Sequence, residues 1–156
     1  MISAATDGAP DTMSADAVGK DRRMGIDVKA EGVDVGIVTA DGPRAIEFYG
    51  GVLGLAAVGE MKMPGGMHMH RFQAGLSVLK VVVLPGDAPA AAPPGGIAGA
   101  SGYRYITLKV NDIEAAVETC RAAGARIAIP VTELRPGVTI AMVEDPDGNW
   151  VEFLAL

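Results

Sequence analysis

Cysteine occurs once, at Cys120, so no internal disulfide can form and a reducing cytoplasm is the expected setting. The N-terminus lacks the basic-then-apolar pattern of an export signal, which points the same way. No apolar run approaches the length needed to span a bilayer, so no membrane partner is expected. Basic runs are missing too. Thirteen basic against nineteen acidic side chains leave a net charge of -6, a field that repels phosphate backbones and anionic lipid and argues against nucleic acid as a partner. Imidazole is scarce, with His68 and His70 the only histidines in 156 residues.

What is present is one pattern used twice. Asp34-Val35-Gly36-Ile37-Val38-Thr39-Ala40-Asp41, followed by Ala45 and Glu47, is matched at constant offset by Tyr105-Ile106-Thr107-Leu108-Lys109-Val110-Asn111-Asp112, followed by Ala116 and Glu118. A supersecondary unit repeated in this way buries its apolar face against its own copy. The length suits one domain made of both copies, not two independent domains. Residues 1–31, rich in Ala, Asp, Gly and Ser without period, are expected to form a flexible tail. The domain is then 32–156, with unit one at 32–84, a Pro-, Ala- and Gly-rich linker at 85–102 and unit two at 103–156.

Within each unit the period predicts a strand, a helix and three strands. In unit one the first strand is 33–38, and Asp41 can cap a helix whose first turn holds Pro43 and which ends at Gly54. Ile46, Tyr49 and Leu53 share a face of that helix. Strands near 56–63, 67–73 and 76–84 follow, with turns at Pro64-Gly65-Gly66 and Ala74-Gly75. In unit two a strand at 104–110 leads to a helix for which Asn111 and Glu114 have capping-box spacing, ended by Gly124. Ile113, Ala116, Val117 and Cys120 fall on one face of that helix, which makes Cys120 a packing residue. Strands near 126–133, 138–144 and 149–155 complete the unit, joined by turns at Arg135-Pro136-Gly137 and Asp145-Pro146-Asp147-Gly148.

Strand alternation sets Asp34, Gly36 and Val38 on one face, with Val35 and Ile37 on the other against the helix. Tyr105 and Thr107 likewise oppose Ile106 and Leu108, and Trp150 and Glu152 oppose Val151 and Phe153. Lys80 stands alone among valines and leucine in its strand and needs a partner. His68 and His70, two apart, share a strand face. A two-residue turn at Ala74-Gly75 places Met69 opposite Lys80 and aims the histidines away from it, whereas a three-residue turn places His70 there. The pair is read as a polar or interface face rather than a ligand or catalytic set. Met61, Met63, Met67 and Met69 serve either as core or as a soft wall for apolar ligands. Trp150 either stacks on a flat ligand or packs to close one end.

These features resemble the vicinal oxygen chelate superfamily, which includes glyoxalase I, bleomycin resistance proteins and extradiol dioxygenases. The residues that carry the likeness are Asp34-Val35-Gly36-Ile37-Val38, the helix end Phe48-Tyr49-Gly50-Gly51-Val52-Leu53-Gly54-Leu55 and the close Glu144-Asp145-Pro146-Asp147-Gly148-Asn149-Trp150-Val151-Glu152-Phe153. The resemblance implies an α+β fold in which two βαβββ units form a curved mixed β-sheet cup, commonly with a divalent metal inside and often in a homodimer. It also implies metal ligands at the positions of Asp34, Lys80, Tyr105 and Glu152, of which only Glu152 is of the usual type. An ammonium about 4 Å from a divalent ion costs on the order of 8 kcal/mol at an effective dielectric near 20.

The sequence thus suggests a cup without metal or other cofactor, binding a small organic molecule. Lys80, paired with Asp34 and Glu152, takes the metal's electrostatic role. Asp34 and Glu152 act as anionic or general-base groups, Tyr105 donates a hydrogen bond, and Trp150, Met69 and Thr107 contact the substrate. Three alternatives stand beside it: a metal-dependent lyase, isomerase or dioxygenase, an interaction module without ligand, and a purely structural ion-pair network among the four residues.

Overall fold

The computed structural model describes residues 32–39, 41–86 and 90–156, and the expected tail at 1–31 lies outside them. In chain order the elements are β1 (Val35–Thr39), α1 (Gly42–Ile46), β2 (Ala56–Lys62), β3 (His68–Ala74), β4 (Ser77–Val83), α2 (Gly96–Gly99), β5 (Tyr105–Lys109), α3 (Ile113–Ala122), β6 (Ile127–Arg135), β7 (Val138–Glu144) and β8 (Trp150–Ala155). They form two four-stranded mixed sheets of the same topology, β1-β4-β3-β2 and β5-β8-β7-β6. In each, the unit's first strand runs parallel to its last while the other neighbours are antiparallel. The α+β reading as paired βαβββ units holds.

Helices α1 and α3 each start from an aspartate. Asp41 Oδ1 accepts from the Arg44 N–H at 3.2 Å, and Pro43 occupies the first turn, where its missing N–H costs nothing. The second cap is Asp112, whose Oδ1 accepts from the Ala115 N–H at 2.8 Å. The expected cap at Asn111, which would have accepted from the Glu114 N–H, is displaced by one residue to Asp112, which accepts from the Ala115 N–H.

The first helix also departs from regular period. After Ile46 it widens into a π-helical turn, Glu47–Val52, in which the Leu53 N–H reaches five residues back to the Phe48 carbonyl at 2.9 Å. The extra residue rotates the face, so Phe48 is buried beside Tyr49, while Ile46 and Leu53 are only partly buried. Gly50 permits this, since a Cβ there would lie 2.9 Å from the Phe72 ring.

One hydrophobic core joins the units. Phe48 and Tyr49 meet Phe72, Leu79 and Val81 of the first sheet, and Val117 and Cys120 meet Val143, Val151 and Phe153 of the second. Cys120 is 0% exposed, and burial pushes its thiol up to about 11, as befits a packing residue. The units are also tied by a polar bond: the buried Tyr49 hydroxyl donates to Asp145 Oδ2 at 2.7 Å. Burial, then the Asp145 carboxylate, raises the Tyr49 phenol far above its ordinary value and keeps it protonated. Asp145 accepts as well from the N–H groups of Asp147 and Asn149 and from Asn149 Nδ2, so the expected turn is built around a satisfied carboxylate.

The linker is less featureless than its composition suggested. It contains α2, fixed by Arg104, whose guanidinium donates to the Gly96 and Pro93 carbonyls at 2.7 and 2.6 Å. Gly96 lies against the Trp150 indole so closely that a Cβ would come within 2.1 Å of the ring. Among the described residues no helix is long and apolar enough to cross a membrane.

Candidate functional site

The hairpin β3–β4 decides which side chains share a face with Lys80. Ala74 pairs with Ser77, so the turn is Gly75-Leu76, one residue later than either expected alternative. Gly75 takes φ +61 and Leu76 does not have positive φ, the pattern of a two-residue turn with glycine in its first central position. The register that follows sets Arg71, not Met69 or His70, directly opposite Lys80. Directly opposed residues project to one side, so Lys80, Arg71, Met69 and Val82 share a face with Gly36 of β1. Leu79, Val81 and Phe72 take the other and enter the core.

Lys80 finds its partner in Asp34. Its Nζ stands 2.8 Å from Asp34 Oδ2, and Asp34 Oδ1 accepts from the Val78 N–H at 3.0 Å. The Lys80 bond, then the Val78 N–H and the charges of Lys80 and Arg71, hold the Asp34 carboxyl below its usual range despite an opposing contribution from burial. Arg71 is the residue that reading the chain missed. Among the described residues it has no ion-pair partner within 4.0 Å, so this face carries two cations against one carboxylate.

In unit two, Thr107 Oγ1 donates to Glu152 Oε2 at 2.5 Å. Glu152 does not reach Lys80: no ion pair within 4.0 Å joins them, which corrects the expectation of an ammonium held by both carboxylates. The two pairs flank a common space instead. A cleft of about 560 Å³ lies between β1 and β5, walled by Asp34, Gly36, Val78, Tyr103, Tyr105 and Thr107. Lys80 and Glu152 are not part of this wall; each is bonded to a residue that is, Lys80 to Asp34 and Glu152 to Thr107. Each half supplies a hydrogen-bonded pair because strands β1 and β5 each run parallel to the last strand of their unit, which sets Gly36 beside Lys80 and Thr107 beside Glu152.

Of the expected substrate contacts, Thr107 lines the cleft. Met69 shares the face of Lys80, in register with Met61 on one side and Val82 on the other. Met61 is 51% exposed, so this pair forms an apolar wall and not core filling. Trp150 has Gly96 against its ring and donates Nε1–H to Glu144 Oε1 at 3.0 Å, which makes it a packed aromatic on that side. His68 and His70 project to the opposite face of the sheet, beside Glu60.

At the positions where the resemblance implies metal ligands, the donor set therefore consists of a carboxylate neutralised by an ammonium, that ammonium, a phenol and a carboxylate bonded to a hydroxyl. Divalent zinc, nickel and ferrous sites favour imidazole or thiolate beside carboxylate, and a lysine ammonium has no lone pair to give. These residues do not fit a metal in the cup.

Comparison with known proteins agrees with the topology. The profile described as Glyoxalase/Bleomycin resistance protein/Dioxygenase superfamily matches residues 33–153. A lactoylglutathione lyase of Haemophilus influenzae is 42% identical over 53 residues, a stretch that takes in 33% of this chain and 39% of that enzyme. Among solved structures, the glyoxalase I of Leishmania major, described as trypanothione-dependent, superposes with a TM-score of 0.61 at 23% identity over 78% of this chain and 84% of its own. A glyoxalase family protein from Bacillus cereus does so with a TM-score of 0.67 at 18% identity over 88% and 97%. At such identities the likeness is one of fold.

Proposed function

Because the chain belongs to the Glyoxalase/Bleomycin resistance protein/Dioxygenase superfamily, we propose that it binds a small organic anion on the cup face of the first sheet, beside the cleft between β1 and β5, without a divalent metal there. One observation carries this reading. The Lys80 ammonium sits 2.8 Å from Asp34, with Arg71 opposite Lys80 on the same face. A carboxylate or enolate that passes the cleft mouth at Asp34 onto the cup face of the first sheet meets two positive groups, Lys80 and Arg71, of which only one is paired. Lys80 and Arg71 stabilise its negative oxygen, the Tyr105 hydroxyl donates a hydrogen bond, and Met61 and Met69 offer apolar surface to the remainder. In a catalytic member Asp34 or Glu152 would take the proton next to the stabilised oxygen.

The lyase, isomerase or dioxygenase reading keeps support from the 42% identical segment shared with the lactoylglutathione lyase. It requires a cup metal, against which the Lys80–Asp34 pair argues. A homodimer belongs to our proposal, supported by the half-exposed Val38 and Met61 on the cup face, and a reducing cytoplasm is supported by the single, buried Cys120.

The test is a thermal-shift and calorimetric screen of small carboxylates against chelator-treated protein. Binding is expected to persist without metal and to weaken by about tenfold or more in Lys80→Met, since a charge-assisted hydrogen bond contributes roughly 1.5–3 kcal/mol. Binding that needs added metal and survives Lys80→Met would instead establish the metal-dependent reading.

A further inference from the structure

Both histidines of the chain converge with one carboxylate on the face of the first sheet that looks away from the cup. Glu60 on β2 pairs in register with His70 on β3, and His68 lies two residues along on the same side. Glu60 Oε2 is 3.4 Å from His70 Nδ1 and 3.7 Å from His68 Nε2, and the imidazole centroids are 4.5 Å apart. One donor atom from each of the three side chains lies within 4.8 Å of the other two.

These spacings match a metal better than they match a hydrogen bond. Two ligands bound at about 2.1 Å to a tetrahedral ion stand about 3.4 Å from each other, which is the separation of Glu60 from His70 and close to that from His68. An N–H···O bond is shorter, typically 2.7–3.2 Å, and none joins either imidazole to Glu60. The three groups sit on adjacent paired strands, so the backbone ladder fixes their separation. Buried Val81, opposite His70, supplies an apolar floor that lowers the local dielectric.

We propose that Glu60, His68 and His70 form a binding site for a divalent transition metal of the zinc class. Two imidazoles and a carboxylate are the donors that zinc, cobalt, nickel and ferrous ions prefer, and three protein ligands leave a coordination position for water or an incoming group. Lys62, opposite His68 on this face, is exposed, and its four-carbon stem lets the ammonium stay in solvent away from the ion. The site is independent of the cup, because Lys80 and Asp34 project to the other side of the sheet.

The experiment uses full-length protein without a histidine tag, stripped with chelator and titrated with cobalt(II) while the visible absorption is followed. One equivalent is expected to bind with ligand-field bands, and zinc is expected to displace it. Glu60→Gln, His68→Ala and His70→Ala should each weaken cobalt binding by on the order of a hundredfold, with unchanged circular dichroism. Glu60→Gln is nearly isosteric at an exposed position, so it keeps the test decisive should a histidine replacement disturb the hairpin. Lys80→Met and Glu152→Gln should leave the titration as it was. Absence of saturable cobalt binding, survival of binding in the Glu60 and His70 variants, or its loss in the Lys80 and Glu152 variants would each overturn the proposal.

Discussion

The two units share topology and the type of helix cap, yet they carry different chemistry. Unit one holds the Lys80–Asp34 ion pair, Arg71, both histidines, a π-helical turn and a β2 strand exposed along its length. Unit two holds a regular ten-residue helix, a Thr107–Glu152 hydrogen bond and a buried run, Ile140–Val143, in β7. The duplicated frame fixes where a side chain points, while what it does there has diverged.

The comparison rests on a shared core, and this is where the largest effects are expected. Phe72→Ala in unit one and Phe153→Ala in unit two should each cost about 3–5 kcal/mol, because each leaves a cavity in the same cluster. Chemical denaturation followed by two probes should show one coincident transition for both variants. If one half melted first, the units would be separate foldons and the single core would be an overstatement.

A smaller effect isolates the polar tie. Tyr49→Phe removes the donor to Asp145 and should cost about 1.5–3 kcal/mol, the usual range for a hydrogen bond to a charged group. A loss indistinguishable from zero in urea unfolding would mean that Asn149 and the turn amides already satisfy Asp145.

The smallest effect concerns the charge pair of unit one. Because the folded state depresses the Asp34 carboxyl, its contribution is present above the ordinary carboxylate range, near about 4, and is lost as pH falls through the depressed value. The difference in thermal midpoint between wild type and Asp34→Asn should therefore be present at neutral pH and vanish in strong acid. A difference that grew on acidification would reverse the assignment.

Much of the frame was legible because it is local. Turn residues such as Pro136-Gly137, the alternation in β1 and the repeat itself all appear within a few positions of one another, and these indicated the order of elements. The repeat even contained the correct second cap, since Asp41 aligns with Asp112; the capping-box spacing of Asn111 and Glu114 drew attention one residue early. What stayed hidden was set at a distance. Tyr49 and Asp145 are 96 positions apart, and no pattern along the chain joins them. Arg71 escaped because its place depends on the hairpin register, for which the preference of glycine for the first central position of a two-residue loop was the available signal. The separation of Glu152 from Lys80 depends on how the two sheets sit, which neither strand encodes.

That hairpin has a consequence for how the gene can vary. Exposed loop tips ordinarily accept insertions and deletions, but a single residue added between Ala74 and Ser77 would slide β3 past β4 by one step and exchange inside for outside along the strand. Phe72 would leave the interior, Arg71 would be driven toward it, and the two histidines would arrive in the cup. At this tip, a change in length alone would rewrite the chemistry of both faces at once.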